Sequence, residues 1–171
     1  MLMRVAIATL LLMPGLASAQ DVTEPALKAA FIYNFAKFTE WPSGLMPAGQ
    51  PLVMCVLGDA AVGDALERAV KGRELAGRSM TVWRVTPADP QRVCHVLYVS
   101  HVTASQATQA VAGVRDLPVL TIGDGEGFSE LGGIAQFFFE HGQLRFSVDL
   151  VSAKRARLQI SSRLLILRRQ K

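Results

Sequence analysis

Three histidines, two cysteines and a glycine-rich loop carrying carboxylates are the residues in this chain whose types could do chemistry. His95, His101 and His141 stand at no spacing that sets one beside another His or Cys on a helical face, and a zinc site built from Cys94, His95 and His101 would compete with pairing of Cys94 to Cys55. The run Gly123-Asp124-Gly125-Glu126-Gly127 follows an apolar stretch, as a phosphate-cradling loop does. It lacks the Lys-Ser/Thr of a P-loop and no strong helix begins behind it, so a structural turn is the expectation. Gly58-Asp59 closes another apolar run, where a ligand at a sheet's carboxyl edge would sit, but one glycine is a weak signal. Asp124, Glu126 and Glu130 are too loosely spaced for an acid–base pair, and no Gly-x-Ser-x-Gly elbow occurs. We therefore expect no catalytic residues, no metal and no cofactor: the protein is not expected to be an enzyme.

The compartment decides what the cysteines mean. Met1 to Arg4 carries one positive charge, Val5 to Met13 is apolar, and Ala17-Ser18-Ala19 forms a small-residue cleavage site. Residues 1–19 thus read as a secretory signal peptide cleaved after Ala19, leaving an exported domain over residues 20–171. In an oxidising compartment an even cysteine count reads as a disulfide, here Cys55 to Cys94. From Gln20 on, 17 basic residues face 14 acidic ones, too slight an excess to argue for nucleic acid. That excess gathers at Lys154, Arg155, Arg157, Arg163, Arg168, Arg169 and Lys171, a run that is most often a solvated face and otherwise suits anionic headgroups or an acidic partner.

The elements that must position these groups follow from periodicity. In Ala29 to Pro42, AAFIYNFAKFTEWP, the residues Leu27, Phe31, Asn34, Phe35, Phe38 and Trp41 share one face at helical spacing, with Tyr33, Lys37 and Glu40 opposite. Thr23 caps this helix, and Pro42 disfavours helical geometry at Trp41. Apolar runs at Pro51 to Leu57, Met80 to Val85, Val93 to Val99 and Pro118 to Ile122 alternate with helical stretches at 59–70 and 103–114. Strand and helix in turn predict one α/β domain with a mostly parallel central sheet and helices on both faces. Ile134 to Glu140 and Gln143 to Asp149 flank His141-Gly142, which predicts a C-terminal antiparallel hairpin. Val151 to Arg157 and Ser161 to Leu167 read as helices. The consecutive rings Phe137, Phe138 and Phe139 cannot all face one side of a strand, so either helices cover both faces of the sheet or one face is an interaction surface; Leu164 to Leu167 surround a helix that a dimer mate or a membrane-protein partner would serve to cover.

Four blocks in order carry a resemblance: AAFIYNFAKFTEWP, the pair Cys55 and Cys94, TIGDGEGFSELGG (Thr121 to Gly133) and RFSVDLVSAKRARLQISSRLLIL (Arg145 to Leu167). In these the chain resembles the YfiR-like (HmsC-like) periplasmic proteins. The resemblance implies a core motif of Phe31, Asn34, Phe35, Phe38, Trp41 and Pro42, and partner-facing or supporting positions at Phe146, Ser147, Asp149 and Ala153. It implies a periplasmic repressor that binds the periplasmic domain of an inner-membrane diguanylate cyclase, lowering cyclic-di-GMP and biofilm formation, with a homodimer expected. The alternative is a small-molecule-sensing module of another envelope system. A second cysteine pair that some members carry near the segment matching Ser129 to Gln136 is absent here, so a redox switch built on it is not implied.

Overall fold

A computed structural model describes residues 22–89 and 93–167. The expected signal peptide and its cleavage site lie outside these residues. The chain opens with helix α1 (Glu24–Lys37), whose N-cap Thr23 accepts a hydrogen bond from the Ala26 amide and whose first turn holds Pro25. There follow β1 (Thr39–Glu40), β2 (Leu52–Leu57), α2 (Ala60–Val70), β3 (Glu74–Leu75), β4 (Arg78–Val85) and β5 (Val96–Val99). The second half runs α3 (Ala104–Val114), β6 (Leu120–Gly123), β7 (Ala135–Glu140), β8 (Gln143–Val148), α4 (Leu150–Arg155), β9 (Gln159–Ile160) and α5 (Ser162–Leu167).

Seven strands form one sheet in the order β3-β4-β2-β5-β6-β7-β8. The five from β4 to β7 are mutually parallel, with β3 and β8 antiparallel at the edges. The mixed α/β class, the mainly parallel sheet and the closing hairpin agree with the sequence reading. The central strands β2, β5 and β6 are buried at every position, as strands covered on both faces must be. Leu52, Met54 and Val56 turn to a core shared with α1, α2, α4 and α5, while Val53, Cys55 and Leu57 turn to a smaller one shared with α3 and Phe128. His141 and Gly142 both hold positive φ (50° and 74°), the two-residue turn that matches strand twist. A second, two-stranded sheet pairs β1 with β9 and ties the first helix to the last.

Several details differ from expectation. The buried stripe of α1 is Lys28, Ala29, Ile32, Phe35 and Ala36, rotated from the predicted one because this helix packs on α2 as well as on the sheet. Of the predicted face, Phe35 is fully buried, Leu27, Phe31, Phe38 and Trp41 pack on the core only partly, and Tyr33 is half-buried instead of opposite. The helix stops at Lys37 with Phe38 as its C-cap, so Trp41 and Pro42 lie beyond β1 rather than on the helix face. The strand expected from Val93 begins at Val96, and the helix expected to Arg157 ends at Arg155, with Arg157 itself at φ 59°.

Candidate functional site

The predicted partner segment lies where β8 turns into α4. Phe146 is 4 % exposed and Ala153 2 %, so neither offers a surface to another molecule in this conformation, and their part can only be supporting. Ser147 is half-buried opposite Gln136. Asp149 is the N-cap of α4: its carboxylate accepts from the amides of Val151 (2.8 Å) and Ser152 (3.2 Å) and from the Ser152 hydroxyl (2.8 Å). Burial alone would raise its pKa, but these bonds outweigh that and hold the carboxyl below its ordinary value. Beyond the cap, Leu150 and Val151 are 51 % and 69 % exposed, an accessible apolar pair that the sequence reading passed over.

Phe146 supports the fold through rings. Phe31 and Phe35 of α1 meet Phe137 and Phe146 of the hairpin with centroids 5.0–6.0 Å apart, mostly edge to face, and Tyr98 tilts against Phe137 at 6.3 Å. Such pairs add about 0.5–1.5 kcal/mol each beyond the area they bury. The aromatic block at the start of the chain and the RFSV block near its end are thus one packing unit. Asn34 of that block accepts the Phe38 amide through its carbonyl at the helix end. Of the three consecutive rings, Phe137 is fully buried, whereas Phe138 and Phe139 are 40 % and 48 % exposed.

A polar cluster that sequence reasoning missed sits at the carboxyl ends of the parallel strands. Lys28, 5 % exposed, reaches Asp124 Oδ2 and Glu24 Oε1, both at 2.6 Å, and the Tyr98 hydroxyl donates to the same Asp124 oxygen at 2.9 Å. Burial would raise the Asp124 pKa, yet Lys28 and Tyr98 hold it below the ordinary value. Burial would likewise lower that of Lys28, yet its two carboxylate partners hold the ammonium above the usual lysine range. The Tyr98 phenol is pushed far up by burial and by Asp124. Asp59, 4 % exposed, caps α2 by accepting from the Val62 amide at 3.1 Å and stands 3.7 Å from His101 Nδ1. Only the helical spacing of Lys28 to Glu24 hinted at this cluster; the pairing with Asp124 spans 96 residues.

The glycine-rich loop is a packing device. The Phe128 ring, 2 % exposed, lies directly on Gly123 and Gly133, where a Cβ on either would collide with it. Gly58, at φ 95°, lies against the Ser100 carbonyl with no room for a side chain. Gly58 stands at the ends of β2 and β5, the point where strand order reverses and where sheets of this kind usually take ligands, and its close packing narrows that point.

Cys55 and Cys94 are bonded, with Cα atoms 5.7 Å apart and a separation of 39 residues. The chain-entropy account puts the stabilisation at about 4 kcal/mol. His95 next to the bridge is structural: its amide donates to the Val53 carbonyl and its Nδ1 accepts the Val53 amide at 2.9 Å. Burial, then the charge of Arg78, pushes its pKa down and keeps the ring the neutral acceptor this bond needs. Among the described residues no group of three or more His, Cys, Asp or Glu stands together as metal ligands do.

Two of the cavities among the described residues have aromatic walls. One of about 540 Å³ lies at the amino ends of the strands, lined by Tyr33, Trp41, Lys37, Glu74 and Arg78. The Trp41 indole N–H is buried there without a hydrogen-bond partner. The other, about 410 Å³, runs from Lys28 and Asp124 to the exposed Phe138 and Phe139, with Lys28 Nζ 6.0 Å from the Phe139 ring centre. Compared with known families, residues 25–169 match the model of the YfiR/HmsC-like proteins. No curated protein matches the chain.

Proposed function

This chain belongs to the YfiR/HmsC-like family, and from that premise we propose that it is an exported, non-catalytic regulator of diguanylate cyclase signalling. In this reading residues 1–19 are removed after Ala19, and residues 20–171 act in the periplasm. The protein binds the periplasmic domain of an inner-membrane diguanylate cyclase and holds it in its inactive state, lowering cyclic-di-GMP and biofilm formation. The family match carries the proposal. Support comes from the exposed Phe138 and Phe139 at the end of β7, an apolar surface on a rigid, ring-packed hairpin. Phe146 and Ala153 brace that hairpin from within, while Ser147 and Asp149 set its exit into α4. No helix of the described residues is long and apolar enough to cross a membrane.

Repression then requires tighter binding to the inactive cyclase than to the active one, since a ligand with equal affinity for both shifts nothing. The test is capture of a membrane-bound diguanylate cyclase from detergent-solubilised inner membrane, together with cyclic-di-GMP measured in cells lacking the protein. Capture and raised cyclic-di-GMP support the reading; no cyclase and an unchanged level overturn it. Phe138→Ala with Phe139→Ala is expected to weaken capture with little change in melting temperature. Homodimerisation belongs to the same proposal and is checked by analytical ultracentrifugation.

One observation favours a sensing role beside this. The amino-end cavity of about 540 Å³ combines aromatic walls with charges of both signs. A metabolite that binds there raises the melting temperature with the logarithm of its free concentration above its Kd; no shift across a panel of envelope metabolites removes the sensing role and leaves the regulator reading standing.

A further inference from the structure

Charge in this chain is divided by region. Residues 20–149 hold ten Lys and Arg against fourteen Asp and Glu, a net −4, whereas residues 150–171 hold seven Lys and Arg and no acidic residue. Four of those seven, Lys154, Arg155, Arg157 and Arg163, lie among the described residues and all are exposed. Three of the largest exposed aliphatic side chains stand with them: Leu150 at 51 %, Val151 at 69 % and Ile166 at 60 %.

The helical geometry sorts them. At about 100° per residue, Leu150, Val151, Lys154 and Arg155 fall within about 140° of one side of α4, and Ser152 and Ala153, both buried, take the other. On α5, Leu164 is buried while Arg163 and Ile166 stand outward, three residues apart. Each short helix is anchored by small or aliphatic residues and presents cations beside aliphatic carbon to the outside.

We propose that these outward faces of α4 and α5 dock on a bilayer rich in anionic phospholipid, the cations against the phosphates and the aliphatic side chains at the headgroup boundary. Charge complementarity selects this occupant. A second copy meeting this face about a two-fold axis would set the same cations against one another. The face also carries no aromatic anchor of the kind that dominates protein interfaces, whereas clustered Lys and Arg beside aliphatic residues are what a headgroup layer attracts. The inference goes beyond the regulator reading and stands apart from it, because lipid alone is the partner.

The experiment is co-sedimentation of the oxidised protein, lacking only residues 1–19, with phosphatidylglycerol-containing vesicles and with pure phosphatidylcholine vesicles, neither holding any protein. Binding is expected on the first, not on the second, and to fall steeply as salt shortens the screening length. Neutralising Lys154, Arg155 and Arg157 to Gln is expected to weaken it on the order of a hundredfold, at about fivefold per charge. Val151→Asp is expected to weaken it several-fold, and Arg68→Gln on the far helix α2 to leave it unchanged. All of these side chains are exposed, so unchanged melting temperatures will show that the variants fold. Equal binding to both vesicle types, binding to neither, or indifference to the triple substitution overturns the proposal. Binding only to vesicles that also hold an inner-membrane protein overturns it in favour of an acidic protein surface.

Discussion

The two ends of the parallel strands are built on opposite plans. At the carboxyl ends, Gly58 packs on the Ser100 carbonyl beside the strand-order reversal between β2 and β5, and the polar side chains nearby are paired with one another: Lys28 with Asp124 and Glu24, Tyr98 with Asp124. At the amino ends the chain leaves a cavity of about 540 Å³ behind the loop of residues 42–51, and a single guanidinium fastens that loop. Arg78 donates to the carbonyls of Met46 (2.7 Å), Pro47 (2.6 Å) and Gln50 (3.2 Å). The carboxyl edge is thus held by close packing and paired charges and opens beside the exposed Phe138 and Phe139, whereas the amino edge opens behind one fastened loop.

Substitutions at the two ends should therefore separate by size. Gly58→Ala places a Cβ against backbone at a φ that side chains rarely adopt, and is expected to cost about 4 kcal/mol in urea unfolding. A cost under about 1 kcal/mol would show that the carboxyl end yields easily and would dissolve the contrast. Asp124→Asn leaves a buried ammonium with only the half-exposed Glu24, and an expected loss of about 2–3 kcal/mol sharpens the same point.

The pH dependence of that pair has a definite sign. The Asp124 carboxyl is held below its ordinary 3.8, so its contribution is complete above that pH and is lost as pH falls through the folded value. Lys28 is held above 10.5, so its contribution is complete below that pH and is lost as pH rises through the folded value. The Asp124→Asn protein should thus lose less stability than the parent on acidification below about pH 4, as a pH series of melting curves will show.

At the amino end the effects are smaller. Arg78→Ala unfastens the loop at an expected cost of about 1 kcal/mol and should speed proteolysis within residues 42–51 while the rest of the fold holds. Trp41→Phe removes an indole N–H that has no partner, and is expected to change stability by less than about 0.5 kcal/mol in either direction. A large loss there would mean that the amino end is as tightly specified as the carboxyl end.

How much of this was legible in the sequence depends on what each element answers to. Strands β2 and β6, the helices α2 and α3, and the hairpin turned by His141-Gly142 follow from local pattern, and the structure places them close to expectation. What depends on distant partners was not legible. Lys28 reads as a solvated charge until Asp124 arrives 96 residues later, and the α1 stripe reads as centred on Phe31 and Phe38 until α2 takes the neighbouring side. The two-residue strands β1, β3 and β9 carry no periodicity at all. At the candidate site, the cysteine pair was readable from count and compartment. That Phe146 and Ala153 face inward was not, because a block resemblance carries residue types and not the side on which they lie.

The small β1–β9 sheet bears on the order in which the chain is finished. Thr39 pairs with Ile160, and Glu40 with Gln159, so a ladder begun near the start of the chain can be completed only by residues near its end. The rings of Phe31 and Phe35 wait in the same way for Phe137 and Phe146. A polypeptide delivered N-terminus first, whether from a ribosome or through a translocation pore, can cover the α2 side of its opening helix early but leaves the hairpin side of Phe31 and Phe35 bare until almost the last segment has emerged. The closing of two residue pairs between β1 and β9 therefore comes late in the order of assembly.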